Sequence, residues 1–224
     1  MVKTGDNIST LLSIAALLLP LAPLLIIFIR GVNHYALLNL LRVVCFVAFI
    51  KQLVLYIPGL LKKDISLAIN AFDLGEFILL YYLFKLSISQ KRVRDLMNIL
   101  LASFISIVIT IYILKGPDAF PVSVSLVQSV ILMMLSVISL LQQATNKTIV
   151  LFREPLFWIA GGILCFSGMN VFMEVLLTCY PQLTEQALQE KNMVLYAAGI
   201  LRFLLFAVAA GVPKRRKQES QAVK

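Results

Sequence analysis

Polar and apolar positions along this chain fall into blocks: seven runs of roughly 20 apolar residues, separated by short polar gaps. The runs cover 8–29, 35–57, 65–88, 96–114, 122–141, 155–178 and 192–212. A helix rises about 1.5 Å per residue, so each run can cross the ~30 Å hydrocarbon core of a bilayer. In lipid every backbone polar group needs an internal partner, which helices provide. The pattern therefore predicts an all-α polytopic membrane protein: one seven-transmembrane-helix domain over 1–213 and a basic tail over 214–224. Punctuation agrees. Pro58-Gly59 ends the second run, Lys115-Gly116-Pro117 ends the fourth, and Pro155 opens the sixth at a position proline favours. Pro20 and Pro23 predict a kink in the first run. That run is no signal peptide by pattern, because it exceeds the ~7–15 residue apolar region and lacks a small-residue cleavage site.

Composition sharpens the class. The chain has 224 residues, 60% hydrophobic and 14% charged, with a mean hydropathy of +0.93. A soluble domain runs at ~45–50% apolar and ~25% charged, and a disordered chain is poorer still in apolar residues. The net charge of +9 would fit a nucleic-acid binder if it were clustered on one face. Instead, most of the 20 Lys and Arg sit in the gaps between apolar runs, where positive charge sets topology. With the tail inside, eleven fall on the cytoplasmic side: Arg30, Lys91, Arg92, Arg94, Lys147, Arg153, Lys214, Arg215, Arg216, Lys217 and Lys224. Five fall outside: Lys3, Lys62, Lys63, Lys115 and Lys191. This bias predicts the N-terminus outside and the C-terminus cytoplasmic. The loop over 180–191 is acidic by contrast, with Glu185 and Glu190, and Phe157-Trp158 reads as an inner interfacial anchor.

Little material exists for catalysis or metal binding. Cys45, Cys165 and Cys179 form no CxxC, and His34 is the single histidine. No cofactor, metal site or nucleophile with an adjacent base is expected, which reads as a non-enzymatic protein.

The informative residues are polar groups inside the runs, since a charge in hydrocarbon needs an interior partner and marks a candidate site. Asn70, Asp73 and Glu76 recur every three residues on one helical stripe, and Ser167, Asn170 and Glu174 form a second. Ser103, Ser106 and Thr110 form a third and Ser125, Gln128 and Ser136 a fourth, all expected to face inward. Counting depth along each run pairs Glu76 with Arg202 near the bilayer centre and Lys51 with Asp73 nearer the outer surface. Arg42, on the opposite face of its helix from Lys51, should snorkel toward the inner interface, as should Lys85. Gly161, Gly162, Cys165 and Gly168 in the sixth run, with Ala197, Ala198 and Gly199 in the seventh, should allow close helix packing.

Several stretches carry a resemblance. Asp73-Leu74-Gly75-Glu76-Phe77 running into Tyr81-Tyr82 and Lys91-Arg92, with Pro155-Leu156-Phe157-Trp158-Ile159, Gly161-Gly162 and Ser167-Gly168, resembles seven-span proteins of about this length from Bacteroidota. Arg202 departs from that pattern. Genes for the group often lie near sensory histidine kinases. The resemblance implies a receptor-like sensory or signalling component of the bacterial inner membrane, with a membrane histidine kinase or another membrane subunit as partner. The alternative is a small-solute or proton-coupled transporter using the buried charges, and the third reading is a structural subunit of a membrane complex. The seventh run has no lysine for a retinal Schiff base, and no Asp-Arg-Tyr or Asn-Pro signature of G-protein-coupled receptors occurs. The halves show no internal repeat of the transporter kind.

Overall fold

The computed structural model describes residues 3–31, 35–56, 66–88, 90–115, 121–145, 151–179 and 185–213. His34, Lys62, Lys63, Lys147, Pro181-Gln182 and the basic tail lie outside them, as do the side chains of Lys3, Lys115, Glu185 and Glu190. The described residues are nearly all helical, and none of them lies in a strand. The helices are α1 (Lys3–Leu18), α2 (Leu21–Ile29), α3 (Ala36–Tyr56), α4 (Ser66–Ser87), α5 (Lys91–Lys115), α6 (Pro121–Thr145), α7 (Pro155–Cys179) and α8 (Glu185–Gly211), with a 3-10 turn at Leu151–Arg153. With α1 and α2 forming one interrupted span, seven segments are long and apolar enough to cross a membrane. The protein is an integral, multi-pass membrane protein.

The interruption between α1 and α2 follows from Pro20. Without an N–H, Pro20 cannot continue the ladder, and the Ala22 amide donates to the Leu19 carbonyl at 3.0 Å, one residue tighter than an α-helix. Gly31, with φ of 59°, ends α2, and its amide donates to Phe28 O at 3.1 Å.

Four helices depart from the sequence boundaries, each for the same reason, α1 by starting at Lys3 ahead of the first apolar run. Hydropathy marks where hydrocarbon ends, not where hydrogen bonding ends. α5 starts at Lys91, taking the basic gap into its first turns, and α6 runs through Gln142 to Thr145. α8 begins at Glu185, inside the stretch expected to be a loop. Gln and Glu are good helix formers, and acidic residues in a first turn suit the positive end of the helix dipole.

Six spans close a ring. α8 packs on α7, α7 on α6, α6 on α4, α4 on α3, and the α1–α2 span bridges α3 and α8. α5 stands beside the ring: Phe104 stacks 4.9 Å from the Phe77 ring of α4, and Met97, Leu101 and Val108 continue the buried stripe. The ring interior toward the end where α8 terminates is filled by fully buried Leu41, Leu80, Tyr81, Phe84, Ile159 and Phe206. At that end, called here the C-terminal face, Arg30 Nη1 donates to the carbonyls of Ala210 at 2.7 Å and Val212 at 3.0 Å. A cation thus neutralises the last carbonyls of α8 and ties the end of α2 to it.

Candidate functional site: a buried charge network

Four ionisable side chains from three helices meet inside the ring. Glu76 stands halfway along α4, and its Oε1 lies 2.8 Å from Nη1 of Arg202 on α8. Its other oxygen, Oε2, lies 3.8 Å from Nζ of Lys51 on α3. The Lys51 ammonium also donates to Oδ1 of Asp73, one turn before Glu76 on α4. The network is neutral by count, with two cations and two carboxylates. Its exposure is graded. The Asp73 side chain is 38% exposed and Lys51 19%, whereas Glu76 and Arg202 are each 8% exposed. Asp73 is therefore the rim of the network, and the Glu76–Arg202 pair its enclosed end.

Arg202 has a second means of support. Its guanidinium carbon lies 4.2 Å from the centre of the Phe166 ring of α7, and 4.6 and 6.0 Å from Phe203 and Phe206 of its own helix. Ring faces attract a desolvated guanidinium, so the charge is cradled on sides where no carboxylate reaches it. The aromatic cradle was not foreseen from sequence. Phe203 and Phe206, at i+1 and i+4 from Arg202, were the available signal, whereas Phe166 lies on another helix.

Among the remaining candidates, Glu174 of α7 lies 3.1 Å from Nζ of Lys191 on α8. Lys191 lies in the first turns of α8, not in a loop as its polar surroundings suggest, and hydropathy alone therefore hides the pairing. Counting from the true start of α8 brings the two to matching depths. The Asn170 amide donates to Ser125 Oγ at 3.1 Å and Ser129 Oγ at 2.8 Å, joining α7 to α6. Asn70 does not join the network. It lines an apolar groove between α4 and α5 with Leu67, Leu74 and Tyr112.

Two further expectations are corrected. Ser103, Ser106 and Thr110 face outward on α5. Ser106 Oγ donates to Ala102 O at 2.9 Å and Thr110 Oγ1 to Ser106 O at 2.8 Å, so each hydroxyl is satisfied within its own helix and needs no inner face. The small residues of α7 act unequally. A Cβ at Gly162 would meet Arg202 O at 3.2 Å, while Gly161 and Gly168 face open space and Cys165 is exposed. Arg42 is exposed, beside the α2–α3 groove, on the face of α3 away from the network. Lys85 sits 5.2 Å over the Tyr82 ring. Trp158 donates from Nε1 to Phe152 O at 3.0 Å and packs its ring against Phe152 and Phe157 near the C-terminal face.

Chemically the network can exchange partners: Glu76 can shift between Arg202 and Lys51, and a cation reaching Asp73 can compete with Lys51. No group of three or more metal-ligating side chains occurs among the described residues. Comparison with protein-family models, with curated proteins and with solved structures gives no match.

Proposed function

We propose that the chain is a non-enzymatic, receptor-like sensory or signalling component of a bacterial cytoplasmic membrane, N-terminus outside and C-terminus inside, that relays its state to a membrane histidine kinase or similar subunit. The network of Lys51, Asp73, Glu76 and Arg202 is its switching element. One observation carries this reading: a single buried carboxylate, Glu76, is shared between cations on α3 and α8. Buried ion pairs are weak sources of net stability, because desolvation offsets attraction, yet they fix which helices sit together. A change at the exposed rim, Asp73, alters what Lys51 offers Glu76, and thereby what holds Arg202 and α8. α8 ends at the Arg30 clamp and leads into the basic tail, which suits a helix that transmits.

The same graded exposure favours, as a second reading, a small-solute or proton-coupled transporter. The fully buried layer of Leu41, Leu80, Tyr81 and Phe84 below the network counts against it, since a path would have to open through close-packed side chains.

The test is to replace the gene in its host with the Glu76→Gln form and record phosphorylated histidine kinases and response regulators. The sensory reading predicts altered phosphorylation with the variant at normal abundance in the membrane. Unaltered phosphorylation, together with a proton flux in proteoliposomes that Glu76→Gln abolishes, would replace it with the transport reading.

A further inference from the structure

Away from the charge network, the C-terminal face holds a cavity of about 500 Å³ where the ends of α3, α4, α6 and α7 meet. That volume falls within the ~300–1,000 Å³ of small-molecule sites. Its lining is polar on one side, through Tyr35, Ser87, Ser139, Gln142, Gln143 and Glu154. Two of these are themselves buried, Ser139 being 1% and Gln143 8% exposed, and Ser139 Oγ and Gln143 Oε1 have no hydrogen-bond partner among the described residues. An unpartnered buried polar atom is costly, and it stands at places where a ligand completes the set.

One of the free valences has a definite sign. The Gln143 amide is oriented by its Nε2, which donates to Ser139 O at 3.2 Å, so the group left over is the acceptor Oε1. Ser87 spends its proton on Phe84 O at 2.6 Å and offers only lone pairs. Glu154 brings a carboxylate, and no Lys, Arg or His occurs among the described residues lining the cavity. The Tyr35 hydroxyl lies on the same side of the lining and can donate or accept. The lining therefore offers one carboxylate, at Glu154, and one buried acceptor without a partner, at Gln143, with no basic side chain among the described residues, while the hydroxyls of Tyr35 and Ser139 can donate or accept.

We propose that this cavity binds a small organic cation rich in hydrogen-bond donors, a primary ammonium or guanidinium compound, with its charged end at Glu154 and its donors directed to Gln143 and Ser139. An anion would meet the Glu154 carboxylate with no basic side chain among the described lining residues to offset it. The ends of four spans of the ring meet at this cavity, so an occupant bears on how they sit together.

The test uses the full chain in nanodiscs, titrated by calorimetry with putrescine and agmatine, and with 1,4-butanediol and succinate as neutral and anionic probes of similar length. The expected result is saturable binding of at least one of the two cations, on the order of tenfold or more tighter than either comparison probe. Glu154→Gln and, separately, Gln143→Leu should each weaken it by about tenfold or more. The thermal unfolding midpoint reports whether each variant is intact, and Glu154→Gln, at a partly exposed position, keeps the test open if Gln143→Leu fails to fold. Absence of saturable cation binding up to about 10 mM, equal binding of butanediol or succinate, or cation binding untouched in an intact Glu154→Gln would each overturn the proposal.

Discussion

The α-carbon of Gly162 lies so close to Arg202 that a Cβ placed on it would meet the Arg202 carbonyl oxygen at 3.2 Å and its Cα at 3.4 Å. This contact seats α8 against α7 at the level of the buried charge. Gly162→Ala should gain the roughly 1 kcal/mol of helix propensity that alanine has over glycine, and lose about 1–3 kcal/mol to overpacking against backbone that cannot move aside. Gly161→Ala and Gly168→Ala meet nothing and should be neutral or stabilising. Thermal unfolding of the three variants in one detergent checks the ordering, with Gly162→Ala lowest.

The Glu76–Arg202 pair should respond non-additively. Glu76→Gln alone leaves the buried Arg202 without a carboxylate, a loss of about 3–5 kcal/mol, whereas in Arg202→Met Glu76 keeps Lys51 at 3.8 Å and the loss is smaller. The double replacement should recover most of that, because a matched apolar or neutral pair is often as stable as the ions it replaces. A double-mutant cycle on unfolding free energies measures the coupling. Lys51 and Asp73 retain each other in all of these variants.

How the network could be read from sequence, and where the reading failed, has a physical basis. Glu76 and Arg202 were found by counting depth, since a bilayer makes position along a helix a shared coordinate for every span. Lys51 and Asp73 followed by the same count. Lys191 was missed because span ends were set by hydropathy, while α8 starts at Glu185, ahead of the apolar run. Ser103, Ser106 and Thr110 were misplaced because a helical stripe of hydroxyls has two meanings, and back-bonding to i−4 carbonyls lets it face outward. Phe166 belongs to another helix, and no pattern within one span discloses which neighbour a ring will meet. α5 reads like every other span by hydropathy, yet the ring closes without it.

Polar replacements should separate these two kinds of stripe. Ser106→Ala and Thr110→Val remove hydroxyls that bond only within α5, and should change stability by less than about 0.5 kcal/mol. Asn170→Leu strands Ser125 and Ser129 between α6 and α7, and should cost about 1–2 kcal/mol. Unfolding midpoints of the variants, compared at equal detergent, give the contrast.

Removing the Arg30 guanidinium should loosen the end of α8 without unfolding the bundle. Hydrogen bonds from a charged donor contribute about 1.5–3 kcal/mol, and two of them reach the carbonyls of Ala210 and Val212. Hydrogen exchange in Arg30→Gln should accelerate at the amides of the last turn of α8, with those near Arg202 unchanged.

The central claim is that the shared carboxylate of Glu76 sets where α8 stands relative to α4. Spin labels at two outward positions, Tyr82 on α4 and Val208 on α8, placed in a chain whose three cysteines are replaced, report that separation by pulsed dipolar spectroscopy in nanodiscs. In Glu76→Gln the account predicts a shift of roughly 2 Å or more, or a second population, with the helices intact. Superimposable distance distributions in the wild-type and Glu76→Gln backgrounds, both folded, would contradict it and leave the network as a packing device alone.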